Sequence, residues 1–264
     1  MNVSVIIPVY NRAGFVKEAI ESVLSQTFAN FEVIVIDDGS TDNTKQILHS
    51  YLNKIIVISQ DNKGVSYTRN QGVLNASYEW IAFLDSDDMW LPNKLSHQVA
   101  FIEANKDVLI CQTEEIWIKN GIRVNPKKRH KKRSGMIFER SLELCLVSPS
   151  AVMIKKDFFK EIGGFDEDLP ACEDYDLWLR ISCRYPIYLI EKPLIIKRGG
   201  HIDQLSRTPL LDKYRIYSIK KILESGLLSP SQKLSAEKVL KEKCAIFANG
   251  CIKRGKTDEA YYYL

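Results

Sequence analysis

VSVIIPVYNRAGFVKEAIESVLSQTFANFEVIVIDDGS, residues 3–40, is the stretch that decides the fold. Its two ends, VSVIIPV (3–9) and FEVIVI (31–36), are short, β-branched and almost uninterrupted by polar residues. Strands covered on both faces in a parallel sheet have this pattern. Between them Phe15, Ala19, Ile20, Val23 and Leu24 recur at helical spacing. The segment therefore reads as a βαβ unit whose second strand runs into DDGSTDNT (37–44).

Working outward, the alternation continues. Thr41 or Asp42 caps a helix through Ser50, KIIVIS (54–59) is a strand, GVSYTRNQGVLNA (64–76) a helix and WIAFL (80–84) the next strand. A helix follows near 92–104. VLICQTEEIWI (108–118) alternates like a half-exposed strand, AVMI (151–154) is a further strand, 173–182 a helix, and IYLIEKPLIIK (187–197) a strand pair or one bent strand. From about 209 the chain is helical and amphipathic. The expected architecture is α/β: a mixed, mostly parallel sheet flanked by helices over 1–205, then a helical C-terminal extension over 206–264.

The chain has 264 residues, 45% of them hydrophobic, and a formal net charge of +4 that comes largely from KKRHKKR at 127–133. That run is too local to mark a nucleic-acid binder and reads as a loop. The six cysteines contain no C-x-x-C pair, and the N-terminus lacks the basic and apolar regions of a signal peptide. Reduced thiols in a cytoplasm are the expectation. No apolar run approaches the roughly 20 residues of a membrane span, so membrane contact is expected to be peripheral, at the inner face.

Three acidic sites carry the chemistry. DDGSTDNT holds Asp37 and Asp38 at a strand end; it reads either as a turn or as a carboxylate for a nucleobase imide or ribose hydroxyls. In IAFLDSDDMW (81–90), Asp85 and Asp87 flank the small Ser86 where another strand ends, the edge at which open α/β sheets bind ligands. A solvated turn is the plain alternative, but carboxylates at i and i+2 also suit a hard divalent cation and the phosphates it bridges. An EF-hand is excluded, because Trp90 and Ser96 occupy the sixth and twelfth places counted from Asp85. In ACEDYDLWLR (171–180), Glu173, Asp174 and Asp176 fall in the first turn of a helix. The dipole favours negative charge there on structural grounds alone, or one carboxylate is a general base. No G-x-G-x-x-G follows the first strand and no P-loop occurs. The four histidines lack zinc spacing. His201 follows paired glycines, which let a backbone approach a ligand closely; a surface-loop histidine is its alternative.

Taken together, VSVIIPVYNRAGFVKEAIESVLSQTF, FEVIVIDDGSTDNT, NKGVSYTRNQGV, WIAFLDSDDMWLPNKL and CEDYDLWLR resemble the family 2 glycosyltransferases, whose fold is the nucleotide-diphospho-sugar transferase type called GT-A. The segments come in the family's order over about residues 1–200. The resemblance implies that Pro8, Tyr10 and Asn11 lie against the nucleotide. It implies that Asp38, with Asp37 beside it, reads the base and that Arg69 is near the nucleotide pocket. Asp85 and Asp87 form the D-x-D motif with Ser86 between them: Asp85 nearer the ribose or sugar, Asp87 on a divalent cation (Mn²⁺ or Mg²⁺). Asp174 of the Glu173–Asp174 pair is the implied catalytic base, and His201 a further metal or diphosphate contact. The implied reaction is inverting, metal-dependent transfer of a sugar from a nucleotide donor, UDP-linked, to a glycan or lipid-linked acceptor in cell-surface polysaccharide synthesis. A non-catalytic nucleotide-sugar or glycan-binding module of the same fold is the alternative function. The C-terminal tail is expected to cap the catalytic domain, or to dock on a partner, a second copy of the chain, or an anionic membrane surface; KKRHKKR either serves the same end or is a mobile loop over the acceptor site.

Overall fold

The computed structural model describes residues 1–200, 204 and 211–263. Its elements run β1 (Val3–Val9), α1 (Val16–Leu24), β2 (Phe31–Asp37), α2 (Thr44–His49), β3 (Ile56–Ser59), α3 (Val65–Leu74) and β4 (Trp80–Phe83), then β5 (Met89–Trp90), α4 (Lys94–Ala104), β6 (Ile110–Lys119) and β7 (Ile122–Val124). They continue with α5 (Phe138–Glu143), β8 (Met153–Lys155), α6 (Lys156–Glu161), α7 (Glu173–Ser182), β9 (Tyr188–Gly199), α8 (Leu211–Glu224), α9 (Pro230–Lys253) and α10 (Thr257–Tyr261). Among the described residues no helix is long and apolar enough to cross a membrane.

The strands form one sheet in the order β3-β2-β1-β4-β8-β6-β9-β5, with β7 paired to the far part of β6. The half that starts the chain is parallel: Val3 pairs with Phe31, Ile6 with Phe83 and Asp37 with Ser59. The β4–β8 and β8–β6 pairings are antiparallel and β6–β9 is parallel again, so by length of pairing the sheet is mostly parallel. IYLIEKPLIIK is a single irregular strand: Thr113 pairs with Ile190 but Glu114 with Pro193. Pro193 has no N–H for the ladder, and a bulge is where a sheet accommodates it. The short β5 and β7 and helices α5 and α6 go beyond what the sequence pattern shows.

Side chains alternate across the sheet, so each strand feeds two cores. One contains Val5, Ile7, Ile20, Val35, Leu95 and Val99; the other contains Ile6, Ile34, Phe83, Phe159 and Trp178. The helix α3 packs on β1 so tightly that a Cβ built on Gly72 would overlap Ile6 Cγ2. Gly72→Ala is expected to cost about 2 kcal/mol, a fall in Tm of roughly 5 °C by calorimetry. An unchanged Tm would mean that the helix can lift off the sheet.

The C-terminal helices form a third layer. α9 begins with a capping box, Ser229 with Gln232, and with Pro230 in its first turn. Ile219, Ile222 and Ala236 of α8 and α9 bury themselves against Phe138 and Leu142 of α5, Tyr175 and Leu179 of α7, and Cys183 just beyond it. The boundary expected between 205 and 206 lies outside the described residues, as does His201.

Candidate active site

The carboxyl ends of β1, β2 and β4 face a cavity of about 800 Å³. Two loops at its rim are tied together by Asn11, which adopts the left-handed conformation (φ 50°) that Asn tolerates better than most residues. Asn11 Oδ1 accepts from the Thr41 N–H at 2.8 Å and the Asp42 N–H at 3.3 Å. In return the Asn11, Arg12 and Ala13 N–H groups donate to Ser40 Oγ, Thr44 Oγ1 and Asp42 Oδ2. The YNR and DDGSTD motifs are thus one structure.

The two carboxylates at the end of β2 differ. Asp37 is fully buried, accepts the Ser40 N–H at 3.0 Å and does not line the cavity. Asp38 lines it, and its oxygens are held by Gln60 Nε2 at 2.7 Å, Lys63 N–H at 2.8 Å and Gly64 N–H at 2.9 Å. Gly64 (φ 87°) makes that turn just ahead of α3.

One turn into α3, Arg69 is buried and bridges two acidic sites. Its Nη2 donates to Asp85 Oδ1 at 2.6 Å and its Nη1 to Glu173 Oε1 at 2.5 Å. Burial alone would lower the guanidinium's affinity for its proton, but these two carboxylates raise it. Asp88 has its own work: Oδ2 accepts from Ser150 Oγ at 2.7 Å and Oδ1 from the Arg198 N–H at 2.9 Å. It joins the end of β4, the segment before β8 and the end of β9. Burial and the neighbouring Asp87 push its carboxyl well up.

Asp85 and Asp87 both line the cavity at this strand end, and carboxylate oxygens are the donor type that Mg²⁺ or Mn²⁺ takes. Such ions use one or two carboxylates and fill the rest of their shell with substrate phosphates and water. Among the described residues no group of three or more His, Cys, Asp or Glu side chains gathers as a ready-made cage.

Across the cavity, α7 starts after Cys172, itself left-handed (φ 63°). This places Glu173 and Asp174 in the first turn, where the positive end of the dipole favours carboxylates. Asp174 lines the cavity; Oδ1 accepts the Tyr175 N–H at 2.7 Å and Oδ2 accepts from Cys145 Sγ at 3.4 Å. The Cys145 thiol is pushed up by burial and by Asp174, so it acts as a neutral donor. Burial likewise raises the Glu173 carboxyl, with Arg69 opposing.

Pro8, Tyr10, Asn11, Asp38, Arg69, Asp85, Ser86, Asp87, Glu173 and Asp174 all line this one cavity. Of the residues expected from sequence, Asp37 stands outside it and His201 lies outside the described residues.

A further part of the wall, the basic run apart, lies outside the sequence motifs. Glu115 and Trp117 of β6 lie there with His130, Lys132 and Lys197. Glu115 pairs with Lys132 at 3.0 Å and accepts from Trp117 Nε1 at 2.7 Å. The signal was present: residues i and i+2 of a strand share a face. Burial alone would raise the Glu115 carboxyl, but Lys132 and Lys197 bring it from 4.5 down to about 2. A carboxylate depressed by folding adds stability above its unfolded value and loses it as pH falls from about 4.5 to about 2. Glu115→Gln is expected to cost about 3 kcal/mol at neutral pH and progressively less below about pH 4.5. Urea melts at several pH values check this; a cost that is equally large at low pH would contradict it.

Comparison with known proteins gives the family. The model of the family described as Glycosyl transferase family 2 matches residues 4–163. An uncharacterized glycosyltransferase of Rickettsia typhi is 38% identical over 222 residues, covering 80% of this chain and 69% of that protein. In a Rickettsia felis relative, 36% identical over 216 residues and 78% of this chain, the matched region is 35% of the protein. The Escherichia coli enzyme named UDP-Glc:alpha-D-GlcNAc-diphosphoundecaprenol beta-1,3-glucosyltransferase WfaP is 33% identical over 184 residues, 68% of this chain and 69% of its own length. Among solved structures, S. aureus TarS 1-349 in complex with UDP-GlcNAc superposes with a TM-score of 0.75 at 24% identity, over 92% of this chain and 71% of that one, which shows the shared fold. By the family match and by the identity to its relatives, the chain belongs to glycosyl transferase family 2.

Proposed function

We propose that the chain is an inverting, metal-dependent transferase that moves a sugar from a UDP-linked donor to a glycan or lipid-linked acceptor in cell-surface polysaccharide synthesis, working at the inner face of the membrane. The observation that carries this reading is the meeting of three acidic groups in one cavity: Asp38, the Asp85–Asp87 pair and Asp174. Support for donor and acceptor comes from the relatives, WfaP being named for UDP-Glc and a diphosphoundecaprenol-linked sugar, and TarS being bound to UDP-GlcNAc.

In this reading Asp38, its orientation fixed by Gln60, Lys63 and Gly64, accepts from the base, and Tyr10 and Pro8 cover it. Asp85, held by Arg69, orients the donor's ribose or sugar. Asp174 takes the proton of the acceptor hydroxyl as that oxygen bonds to the anomeric carbon. The carbon–oxygen bond to the diphosphate breaks on the opposite face, and the nucleoside diphosphate leaves with the electron pair. Glu173 is engaged by Arg69, which leaves Asp174 as the carboxylate of this pair for the proton. A divalent cation held by Asp87 would neutralise charge developing on the departing diphosphate.

Thermal shift tests the donor half. UDP with Mn²⁺ is expected to stabilise the protein, by about 2.7 kcal/mol at a hundred times its Kd. Asp87→Ala should lose most of that metal-dependent shift. A shift with GDP compounds and none with UDP would overturn the donor assignment.

A further inference from the structure

Most cations that line the cavity already have a carboxylate. Arg69 is paired with Asp85 and Glu173, Lys132 with Glu115, Arg198 with Glu18 and Arg215 with Asp212. Lys197, which lines the cavity from β9, is different. Its Nζ donates to the neutral Ser148 Oγ at 3.2 Å, and among the described residues no carboxylate oxygen lies within 4.0 Å of it. Burial alone would strip the proton from this ammonium, but Glu115, Asp88, Asp85 and Asp174 around it more than offset that, so it stays charged. An ammonium has three N–H donors. Ser148 takes one, and a half-buried charge is costly unless something occupies the rest.

The surroundings place this cation beside the D-x-D loop. In the sheet register Lys197 pairs with Trp117, so its side chain stands on the face that Trp117 presents to the cavity. Ser148, which holds Nζ, is two residues from Ser150, whose Oγ accepts the Asp85 N–H at 3.1 Å and donates to Asp88 Oδ2 at 2.7 Å. Cα atoms two residues apart are separated by at most about 7 Å. One short segment therefore holds Lys197 at one end and the D-x-D loop at the other. The end of β9 is tied to that loop directly as well: the Arg198 N–H donates to Asp88 Oδ1 at 2.9 Å, and Arg198 Nε donates to the Asp87 carbonyl.

Resting on the transferase reading above, we propose that Lys197 is a catalytic residue that binds the β-phosphate of the nucleotide donor, its remaining N–H groups donating to phosphate oxygens. As the bond from the anomeric carbon to the β-phosphate oxygen breaks, the electron pair stays on that oxygen. The ammonium keeps its own proton and strengthens its hydrogen bonds to the growing negative charge. A lysine that only balanced the cavity's carboxylates would rest on one of them; this one rests on a hydroxyl, and Glu115 is already taken by Lys132 at 3.0 Å. The diphosphate is the anion that the reaction itself brings into the cavity. An anionic group on the acceptor is the competing occupant, and in that case loss of Lys197 would leave nucleotide binding untouched.

The test uses the full chain with Mg²⁺ and compares UDP with UMP, which lacks the β-phosphate, by calorimetry. Lys197→Met should weaken UDP about tenfold and leave UMP within about twofold of the wild type. A second measurement needs only the wild type: the ¹⁵N resonance of the Lys197 ammonium, assigned by its loss in Lys197→Arg, should move on adding UDP and move much less on adding UMP. It stands even if Lys197→Met fails to fold. The proposal is overturned if Lys197→Met binds UDP as tightly as the wild type, since the cation would then serve the acceptor or the fold. It is equally overturned if that variant weakens UDP and UMP by the same factor, or if the ammonium resonance stays in place with UDP bound. Failure of UDP to bind the wild type would instead sink the transferase reading itself.

Discussion

Asp174→Asn is expected to lower kcat by about 10²–10⁴-fold, the range that a positioned general base supplies, while UDP binds with unchanged affinity. The amide has the same shape, and its oxygen can still accept the Tyr175 N–H that Asp174 Oδ1 accepts at 2.7 Å. What it cannot do is take a proton from the acceptor hydroxyl. Initial rates with acceptor, together with calorimetry of UDP, separate the two effects: a base variant loses turnover and keeps nucleotide. Full activity of Asp174→Asn would remove the assignment. A product whose anomeric centre retains the donor's configuration by NMR would remove the single-displacement mechanism.

Arg69→Met should produce the largest loss of stability, on the order of 3–5 kcal/mol, because removing one member of a buried ionic group leaves the others uncompensated. Arg69 has 4% of its side-chain surface exposed and Glu173 has 6%, so water cannot replace the lost partner. With Arg69 gone, the largest opposition to the rise that burial imposes on the Glu173 carboxyl is removed. A carboxylate raised by folding favours the native state at low pH and loses that advantage as pH climbs through its folded value. The deficit of Arg69→Met should therefore narrow on going from about pH 8 to about pH 5, which urea melts will show. Arg69→Lys should recover little, since one ammonium cannot reproduce a planar fork reaching two carboxylates. The double variant Arg69→Met/Glu173→Leu should recover more, because an apolar replacement of a buried pair is often close to neutral.

These expectations rest on contacts that the sequence shows unevenly. The strands were legible because β1, β2 and β4 are buried on both faces and so need continuous apolar runs. The acidic clusters were legible because concentrated charge beside such a strand needs a reason. Arg69 was legible as a pocket residue but not as a bridge, since Glu173 lies 104 residues away and no local pattern encodes that pairing. Asp37 and Asp38 look alike in sequence; the loop geometry turns one into the Ser40 cap and the other toward the cavity. Lys132 was hidden by its neighbours, because a run of cations looks solvated throughout, and only the Glu115 carboxylate on a distant strand shows which member turns inward. Lys197, at the end of a strand read mainly for its apolar face, was hidden in the same way.

The packing of α7 bears on how modular such enzymes are. Glu173 and Asp174 occupy its first turn, while Tyr175, Leu179 and Cys183 on and just beyond the same helix interlock with Ile219, Ile222 and Ala236. Tail and α7 therefore share one set of side chains. A chimera that swaps the C-terminal helices between relatives at residue 205 would inherit mismatched halves of that set, so the helices and the outer face of α7 must be exchanged as a single unit of inheritance.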